Sequence, residues 1–186
     1  MTSPLAWLEA PPLVPLTWAA TGAPGSAGIR YDGLMGATPE DALGAVDLLA
    51  GPEGRAAHLC GVLPAGGALA RAAAVWVHTG RLRPGRTDVV VEPHRRVHAP
   101  HVVVHRQHLA DGDVVRVAGV PTTVPVRTAV DLLCFVERRT AVAGVRALLH
   151  DGLAASMVGD ALRGADRRLP VRRALAVLEL VAGRAA

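Results

Sequence analysis

Hydrophobic positions along the chain change their spacing twice. Between residues 38 and 80, apolar side chains recur three or four positions apart, which is the spacing of amphipathic helices. Residues 87–125 carry short valine-rich runs typical of β-strands. From there to the end the helical spacing returns. This order predicts an α+β fold with helices first, then a small antiparallel β meander of three to four strands, and then a C-terminal helical layer.

Three helices are predicted in the first region. One begins at Thr38-Pro39-Glu40-Asp41 and continues to Gly51, because threonine can cap a helix, proline suits its first turn and acids face its positive end. Two more are expected over about residues 53–62 and 67–78, the second ending at Gly80. Residues 1–37 are rich in proline and glycine, so we expect a lead-in there and a single domain over residues 38–186.

Turn residues bound the valine-rich runs and the helices after them. The predicted strands are residues 88–92, 101–105 and 113–117, followed by a short extended piece bent by Gly119 and Pro121. Because short polar segments separate these runs, we expect neighbouring runs to pair antiparallel. Four helices should follow, one beginning at Thr123-Val124-Pro125, one over 140–150, one over 154–163 and one opened by Pro170.

The composition indicates a globular chain. Hydrophobic residues make up 51% of the 186 positions and charged residues 19%, which suits a buried core. No apolar run reaches the roughly 18 uncharged residues of a membrane span, and residues 1–15 lack the basic start of a secretory signal. We therefore expect a cytoplasmic protein with no membrane partner, in which Cys60 and Cys134 are buried free thiols.

Lysine is absent, so all 20 basic residues are arginine. The P-loop, Schiff-base enzymes and serine enzymes with an S-x-x-K motif each need a lysine, as does the restriction-type nuclease core, so these mechanisms are excluded. The chain also lacks G-x-S-x-G, H-E-x-x-H and paired-cysteine metal motifs. We expect a binding protein rather than an enzyme, with no cofactor and no small-molecule substrate. A dispersed active site is the alternative.

Charge is distributed unevenly. Up to Glu53 the chain carries six acidic residues against one arginine, and the remainder carries 19 arginines against ten acids. A basic body can bind an acidic partner or nucleic acid. The alternative interpretation is that charged strand edges prevent aggregation. The six arginines around the predicted central hairpin are the candidate binding residues: Arg81, Arg83, Arg86, Arg95, Arg96 and Arg106.

Five histidines fall in the same predicted hairpin: His94, His98, His101, His105 and His108. On one strand, His101 and His105 would be about 13 Å apart at roughly 3.3 Å per residue. A zinc ion holds its nitrogens at about 2.1 Å, so these two cannot share one. We therefore expect a solvated histidine and arginine surface and no metal site. A His94–His101 pair facing across the hairpin is the alternative, although two ligands make a poor site.

The helices predicted over 140–150 and 154–163 have the lengths of a helix-turn-helix. In that motif, the N-terminal half of the second helix contacts the bases, and here it offers Ala154, Ala155, Ser156 and Met157. An ordinary αα-hairpin is therefore expected. The alternative is DNA contact through Arg163, Arg167 and Arg168.

The most distinctive motif is the segment V-A-G-V-P-T-T-V-P-V-R-T-A-V-D-L-L over residues 117–133. It resembles the G-x-x-V-T-x-P-x-R-T-x-x-D-L junction of actinobacterial AbiEi-family antitoxins, which belong to type IV toxin–antitoxin systems, with Thr122 where that pattern has valine. Residues 74–80 also resemble the apolar helix end before the sheet in that family. The likeness spans roughly residues 50–155.

The resemblance implies a C-terminal antitoxin-type domain that restrains a cognate nucleotidyltransferase-like toxin. Members of the family commonly bind their own promoter through an N-terminal winged helix, and residues 1–50 show no clear helix-turn-helix. A transcriptional regulator that binds double-stranded promoter DNA is the alternative function.

From the residues themselves, the junction motif is expected to set the fold at a strand-to-helix corner. Thr123 can cap the helix, Pro125 suits its first turn, and Arg127 can pair with Asp131 for roughly 0.2–0.5 kcal/mol. Direct contact with a partner is the alternative role. The motif residues are Gly119, Thr123, Pro125, Arg127, Thr128 and Asp131.

Overall fold

The computed structural model describes residues 35–37, 43–45, 49–165 and 169–183. Strands β1 (Met35–Ala37) and β2 (Leu43–Ala45) pair antiparallel, with Gly36 opposite Gly44. The helix predicted from Thr38 to Gly51 is therefore wrong at residues 43–45. Gly44 disfavours a helix there, and residues 43–45 pair with residues 35–37 instead. Residues 38–42 and 46–48 of that prediction lie outside the described residues, as does the lead-in before residue 35.

The main sheet has five strands in the order β5–β4–β3–β7–β6. The central strand β3 pairs antiparallel with β4 and parallel with β7, while β4 pairs parallel with β5 and β6 antiparallel with β7. The prediction of an antiparallel meander of three to four strands is therefore wrong, because the sheet is larger and mixed. The bounds are β3 (Gly67–Leu69), β4 (Thr87–Val91), β5 (Val102–Arg106), β6 (Val114–Val117) and β7 (Val120–Thr123).

The missed strand is β3, which lies inside the helix predicted over residues 67–78. It has only three residues, all buried, so it shows no alternation that would separate it from the apolar helix after it. The chain changes direction at Arg71, whose φ of 48° lies in the left-handed region. Helix α2 (Arg71–Thr79) starts at this residue.

The hairpin predicted between the first and second valine-rich runs, residues 88–92 and 101–105, is also wrong in direction. Strands β4 and β5 run parallel, with Thr87 opposite Val102 and Val91 opposite Arg106. Residues 92–101 must therefore return along the length of the sheet before β5 begins. The valine pattern predicts the strands but carries no information about that path.

Six helices lie within the described residues from 49 onward. Gly80 ends α2 in the left-handed conformation with a φ of 71°, and Pro170 immediately precedes α6 (Val171–Ala182), so both boundary predictions are confirmed. The helices predicted near 53–62, 140–150 and 154–163 are confirmed to within about two residues. The bounds are α1 (Pro52–Cys60), α2 (Arg71–Thr79), α3 (Pro125–Phe135), α4 (Arg138–His150), α5 (Ala155–Gly164) and α6 (Val171–Ala182).

Helix α2 connects the two main parts of the core. Its Trp76 and Val77 pack with α1 on one face of the sheet, against Val89 and Val91. Its Val75 belongs instead to the helical cluster that α3, α4, α5 and α6 build. The opposite face of the sheet has a much smaller apolar cluster, Ala68, Ala70 and Val90, which Leu109 contacts.

The two cysteines are both free thiols, but Cys60 is exposed and Cys134 is half-buried. The prediction that Cys60 is buried is wrong, because it is the last residue of α1 and the chain turns there. Burial raises the pKa of the Cys134 thiol to about 11. No helix in the described ranges has the length and apolar character needed to cross a membrane.

Candidate functional site

The structure does not bring the six candidate arginines together. Arg86 immediately precedes β4, whereas Arg106 ends β5 beside Val91, about 17 Å further along the sheet at ~3.3 Å per residue. Arg95 lies near that second end, since its Nη1 donates to the carbonyl of Ala65 at 3.2 Å. Arg96 is exposed and follows Arg95 directly. The basic hairpin expected from the sequence is thus not a single surface.

The other two candidates lie beside helices. The guanidinium carbon of Arg83 is 5.6 Å from the ring centroid of Trp76 in α2, at the distance of a cation–π contact. Arg81 lines a groove of about 680 Å³ together with α4, α6 and Leu82. We call this the basic groove, and its lining residues are Arg81, Leu82, Ala143, Arg146, Ala147, Leu149, His150 and Val181.

The basic groove combines positive charge with an apolar floor. Arg146 and His150 lie on the exposed face of α4, one helical turn apart, and Arg81 faces them from the loop after α2. No carboxylate is among the lining residues. Leu82 adopts a φ of 57° and packs against the helical core, so the loop backbone at the groove is held in a rarely occupied conformation.

The junction motif forms a buried polar corner between β7 and α3. Arg127 Nε donates to Asp131 Oδ1 at 3.0 Å, which confirms the predicted pair. Its Nη1 also donates to the carboxylate of Asp113 and, at 3.1 Å, to the carbonyl of His108. The contact with Asp113 was not predicted, because it joins residues 14 positions apart that no local spacing rule connects.

Thr123 does not cap α3, so that prediction is wrong. Val124 is the capping residue, and no side chain bonds the helix N-terminus there. The Thr123 hydroxyl is instead buried 2.7 Å from that of Thr128, which also donates to the carbonyl of Val124 at 3.0 Å. Pro125 occupies the first turn, as predicted, and Gly119 forms the β6–β7 turn with a φ of 80°.

Beside this corner lies a second cavity of about 750 Å³, which we call the acidic pocket. Residues 107–113, α3 and the end of α5 line it, and its charged groups are Asp111, Asp113, Asp131 and Arg127. Phe135 forms part of the wall and remains 42% exposed.

Asp131 is almost fully buried at this pocket. Its Oδ2 has no hydrogen-bond partner within the described part of the chain, and the same holds for Gln107 Oε1. Burial raises the pKa of the Asp131 carboxyl, although Arg127 opposes the shift. The charge of this carboxylate is therefore incompletely compensated.

Arg71 lies behind the pocket wall, and sequence reasoning missed it. Its guanidinium carbon is 5.4 Å from the ring centroid of Phe135, and its buried Nε has no hydrogen-bond partner among the described residues. Burial lowers the pKa of Arg71, while Asp88 and Asp131 act in the opposite direction. No sequence signal distinguishes this arginine from the exposed ones.

The histidines of the predicted hairpin divide between paired and exposed positions. His105 Nε2 lies 2.7 Å from Asp88 Oδ1, and His108 Nδ1 lies 3.1 Å from Glu92 Oε2. These contacts hold β5 and the segment after it against β4. His94, His98 and His101 are exposed. Across the described ranges, no three histidine, cysteine or acidic side chains are grouped closely enough to hold a metal ion.

Helices α4 and α5 are joined by a short turn, but α5 packs mainly against α3 and α6 and makes little contact with α4, so the expected αα-hairpin is not formed. Helix α5 also offers little to DNA. The exposed positions of α5 include Ser156, Met157 and Asp160. Asp160 accepts from Arg163 Nη2 at 2.7 Å, so the one exposed arginine of this helix is paired with a carboxylate. Arg167 and Arg168, the other predicted DNA contacts, lie outside the described residues.

No protein-family model matches the chain, and no curated protein does. Among solved structures, the chain is similar to the RV2827C protein from Mycobacterium tuberculosis, with 18% sequence identity and a TM-score of 0.45. The match covers 95% of this chain and 73% of that one. A likeness at this level carries no argument about fold or function.

Proposed function

We propose that this chain is an antitoxin-like binding protein that restrains a cognate nucleotidyltransferase-like toxin in the cytoplasm. The basic groove is the observation that carries the proposal, because it offers a docking site rather than an assembled catalytic group. Across the described residues, thirteen arginines are exposed against six carboxylates, so the described surface as a whole favours an acidic partner. The resemblance of residues 117–133 to the antitoxin junction supplies the class of that partner.

The groove suits an acidic segment that also presents an apolar side chain. Arg81 and Arg146 can each bind a carboxylate in bidentate geometry, and His150 adds a further donor. Leu82, Ala147 and Leu149 give the floor on which an apolar side chain would be buried. Because Arg146 and His150 are on a helix, their positions are fixed before the partner arrives, which lowers the entropic cost of binding.

Co-expression with the product of the neighbouring gene tests this proposal. The wild-type chain should co-purify with that product and restore growth, and the R81E/R146E variant should lose both effects. R96E/R106E is the matched control, since it reverses the same charge at two exposed positions away from the groove. Circular dichroism checks that both variants fold. Absence of a complex with the wild type, or full binding by R81E/R146E, would refute the proposal.

A double-stranded DNA regulator is the second candidate function, and the excess of exposed arginine favours it. It predicts that affinity for the chain's own promoter falls steeply with salt, because each phosphate contact releases a counterion. Gel shifts across a salt series test it, and a shift that is absent or insensitive to salt would reject it.

A further inference from the structure

The acidic pocket differs in charge from the rest of the described surface. Three carboxylates and one guanidinium line it, on a protein whose exposed arginines outnumber its exposed carboxylates by about two to one. A concave site of opposite charge on a basic protein attracts cations and repels the acidic partners that the basic groove favours. The two cavities therefore select ligands of opposite charge.

The unpartnered polar atoms at the pocket define what a ligand must offer. Asp131 Oδ2 and Gln107 Oε1 are both oxygen acceptors, both buried, and both without a donor among the described residues. A buried acceptor without a donor carries a free-energy cost. A group that donates N–H bonds would relieve this cost, whereas another acceptor would add to it.

The pocket also has a surface for an alkyl stem. Phe135 is nearly half exposed on its wall, and the small residues Ala161, Gly164 and Ala165 leave space beside the ring. An aromatic face attracts a guanidinium or ammonium group and packs against methylene groups.

We propose that the acidic pocket binds a guanidinium or ammonium group carried on an alkyl stem, as in the side chain of arginine or lysine. Asp111, which is exposed, meets the cation at the mouth, beside the half-buried Asp113, whose Oδ2 already accepts from Arg127 and from the Ala110 N–H. Asp131 contributes its incompletely compensated charge from below. The aromatic ring of Phe135 packs against the stem. The site is separate from the basic groove and does not depend on the partner proposed for it.

Phe135 gives a direct reporter because it is the chain's only phenylalanine. Incorporation of 4-fluorophenylalanine therefore yields one fluorine NMR signal, located at the pocket wall. Titration with acetyl-arginine methylamide should shift this signal to saturation. The citrulline analogue, which is neutral and nearly the same shape, should bind at least tenfold more weakly. Equal effects of the two compounds would overturn the proposal, as would the absence of a saturable shift in both the wild type and an R167Q/R168Q variant.

Variants then assign the effect to the carboxylates. D111N should weaken binding several-fold without affecting the fold, because Asp111 is exposed, and D131N should remove binding. E179Q on α6 is the control and should bind like the wild type. If D111N and D131N both retain wild-type affinity while folded, the carboxylates are not the binding groups and the proposal is wrong.

Two further comparisons complete the test. Tighter binding of agmatine than of the blocked arginine would assign a free amine as the ligand, and the reverse order would assign a protein side chain.

Arg167 and Arg168 neighbour the pocket in sequence, so the titration is repeated on R167Q/R168Q. Binding in either background supports the site and failure in both refutes it. R81E/R146E should bind the cation normally, which separates this result from a failure of the proposed function.

Discussion

Arg127 and Asp131 form an ion pair in which Nε lies 3.0 Å from Oδ1, one helical turn apart on α3. Their side chains are 17% and 2% exposed, so the pair is not a surface salt bridge. Asp113, from the segment before β6, contacts the same guanidinium. The pair therefore ties the first helix after the sheet to the loop that leads into it.

We predict that R127M will be strongly destabilised. The substitution leaves Asp131 buried without its cation, and breaking a buried pair in this way typically costs about 3–5 kcal/mol. Urea denaturation gives the free energy of unfolding. R163M is the matched control, because Arg163 pairs with Asp160 at an exposed site and its removal should cost at most about 1 kcal/mol. Equal stability of the two variants would contradict the prediction.

Arg55 supports the second prediction. Its buried Nε donates to the carbonyl of Val77 at 3.0 Å, and its Nη1 donates to the carbonyls of Leu49 at 3.0 Å and Ala50 at 2.6 Å. We expect R55M to lose roughly 2 kcal/mol or more, because a buried carbonyl such as that of Val77 left without a donor costs about 1–3 kcal/mol and the part-buried bonds to Leu49 and Ala50 are lost as well.

R55K separates charge from geometry at this position. Lysine keeps the charge but cannot present the planar set of donors, so R55K should lie between the wild type and R55M. Urea denaturation ranks the three proteins, and R139M on the exposed face of α4 serves as the control. R55K with full wild-type stability would show that charge alone is sufficient.

The sequence predicts the helices well and the sheet poorly, for physical reasons. Helices α4, α5 and α6 each carry ten or more residues of regular spacing, and Gly80 and Pro170 mark ends that depend on local backbone geometry alone. Strand β3 is three residues long and buried throughout, so its pattern matches that of the helix beside it. The parallel pairing of β4 and β5 depends on the path of residues 92–101, which the valine pattern does not describe.

The candidate site shows the same division. The pairing of Arg127 with Asp131 follows from helical spacing and was predicted. The contacts of Arg71 with Phe135 and of Arg127 with Asp113 join separate elements, and only the tertiary fold brings them together. The six candidate arginines are close in sequence but do not form one surface in the fold. Strands β4 and β5 run parallel rather than antiparallel, and this places Arg86 and Arg106 at opposite ends of the pair.

Gly144 in α4 gives a third prediction, in which helix propensity and packing oppose each other. A Cβ at this position would lie 2.7 Å from Leu132 Cδ1, well inside normal contact. Alanine favours a helix over glycine by up to about 1 kcal/mol, but overpacking costs about 1–3 kcal/mol. We expect G144A to be destabilised by up to about 2 kcal/mol, the balance of these two effects.

G159A in α5 is the matched comparison. Its added Cβ would approach only the far end of the Arg163 side chain, at 3.4 Å, so the helical preference of alanine should dominate. We expect a gain of about 0.5–1 kcal/mol. Thermal and urea denaturation measure both variants, and a stabilised G144A would show that Leu132 has room to move.

The last prediction concerns acid stability. His58 is 5% exposed, its ring contacts Trp76 with a centroid distance of 6.1 Å, and burial, with help from the charge of Arg83, lowers its pKa to about 4. His58 is therefore protonated near pH 6.5 in the unfolded chain, but only near pH 4 in the folded chain. The contribution of His58 to the free energy of unfolding is fully present above pH 6.5 and is lost as the pH falls toward 4.

The expected loss has an upper limit of about 3 kcal/mol, since one pKa unit corresponds to about 1.4 kcal/mol. Burial also lowers the pKa of His78, which acts in the same direction. H58Q cannot gain the proton, so its free energy of unfolding should fall less between pH 7 and pH 4 than that of the wild type. Because both proteins keep the same carboxylates and His78, the difference between their urea-denaturation profiles isolates His58. Parallel profiles would mean that His58 is protonated in the folded chain as readily as in the unfolded one.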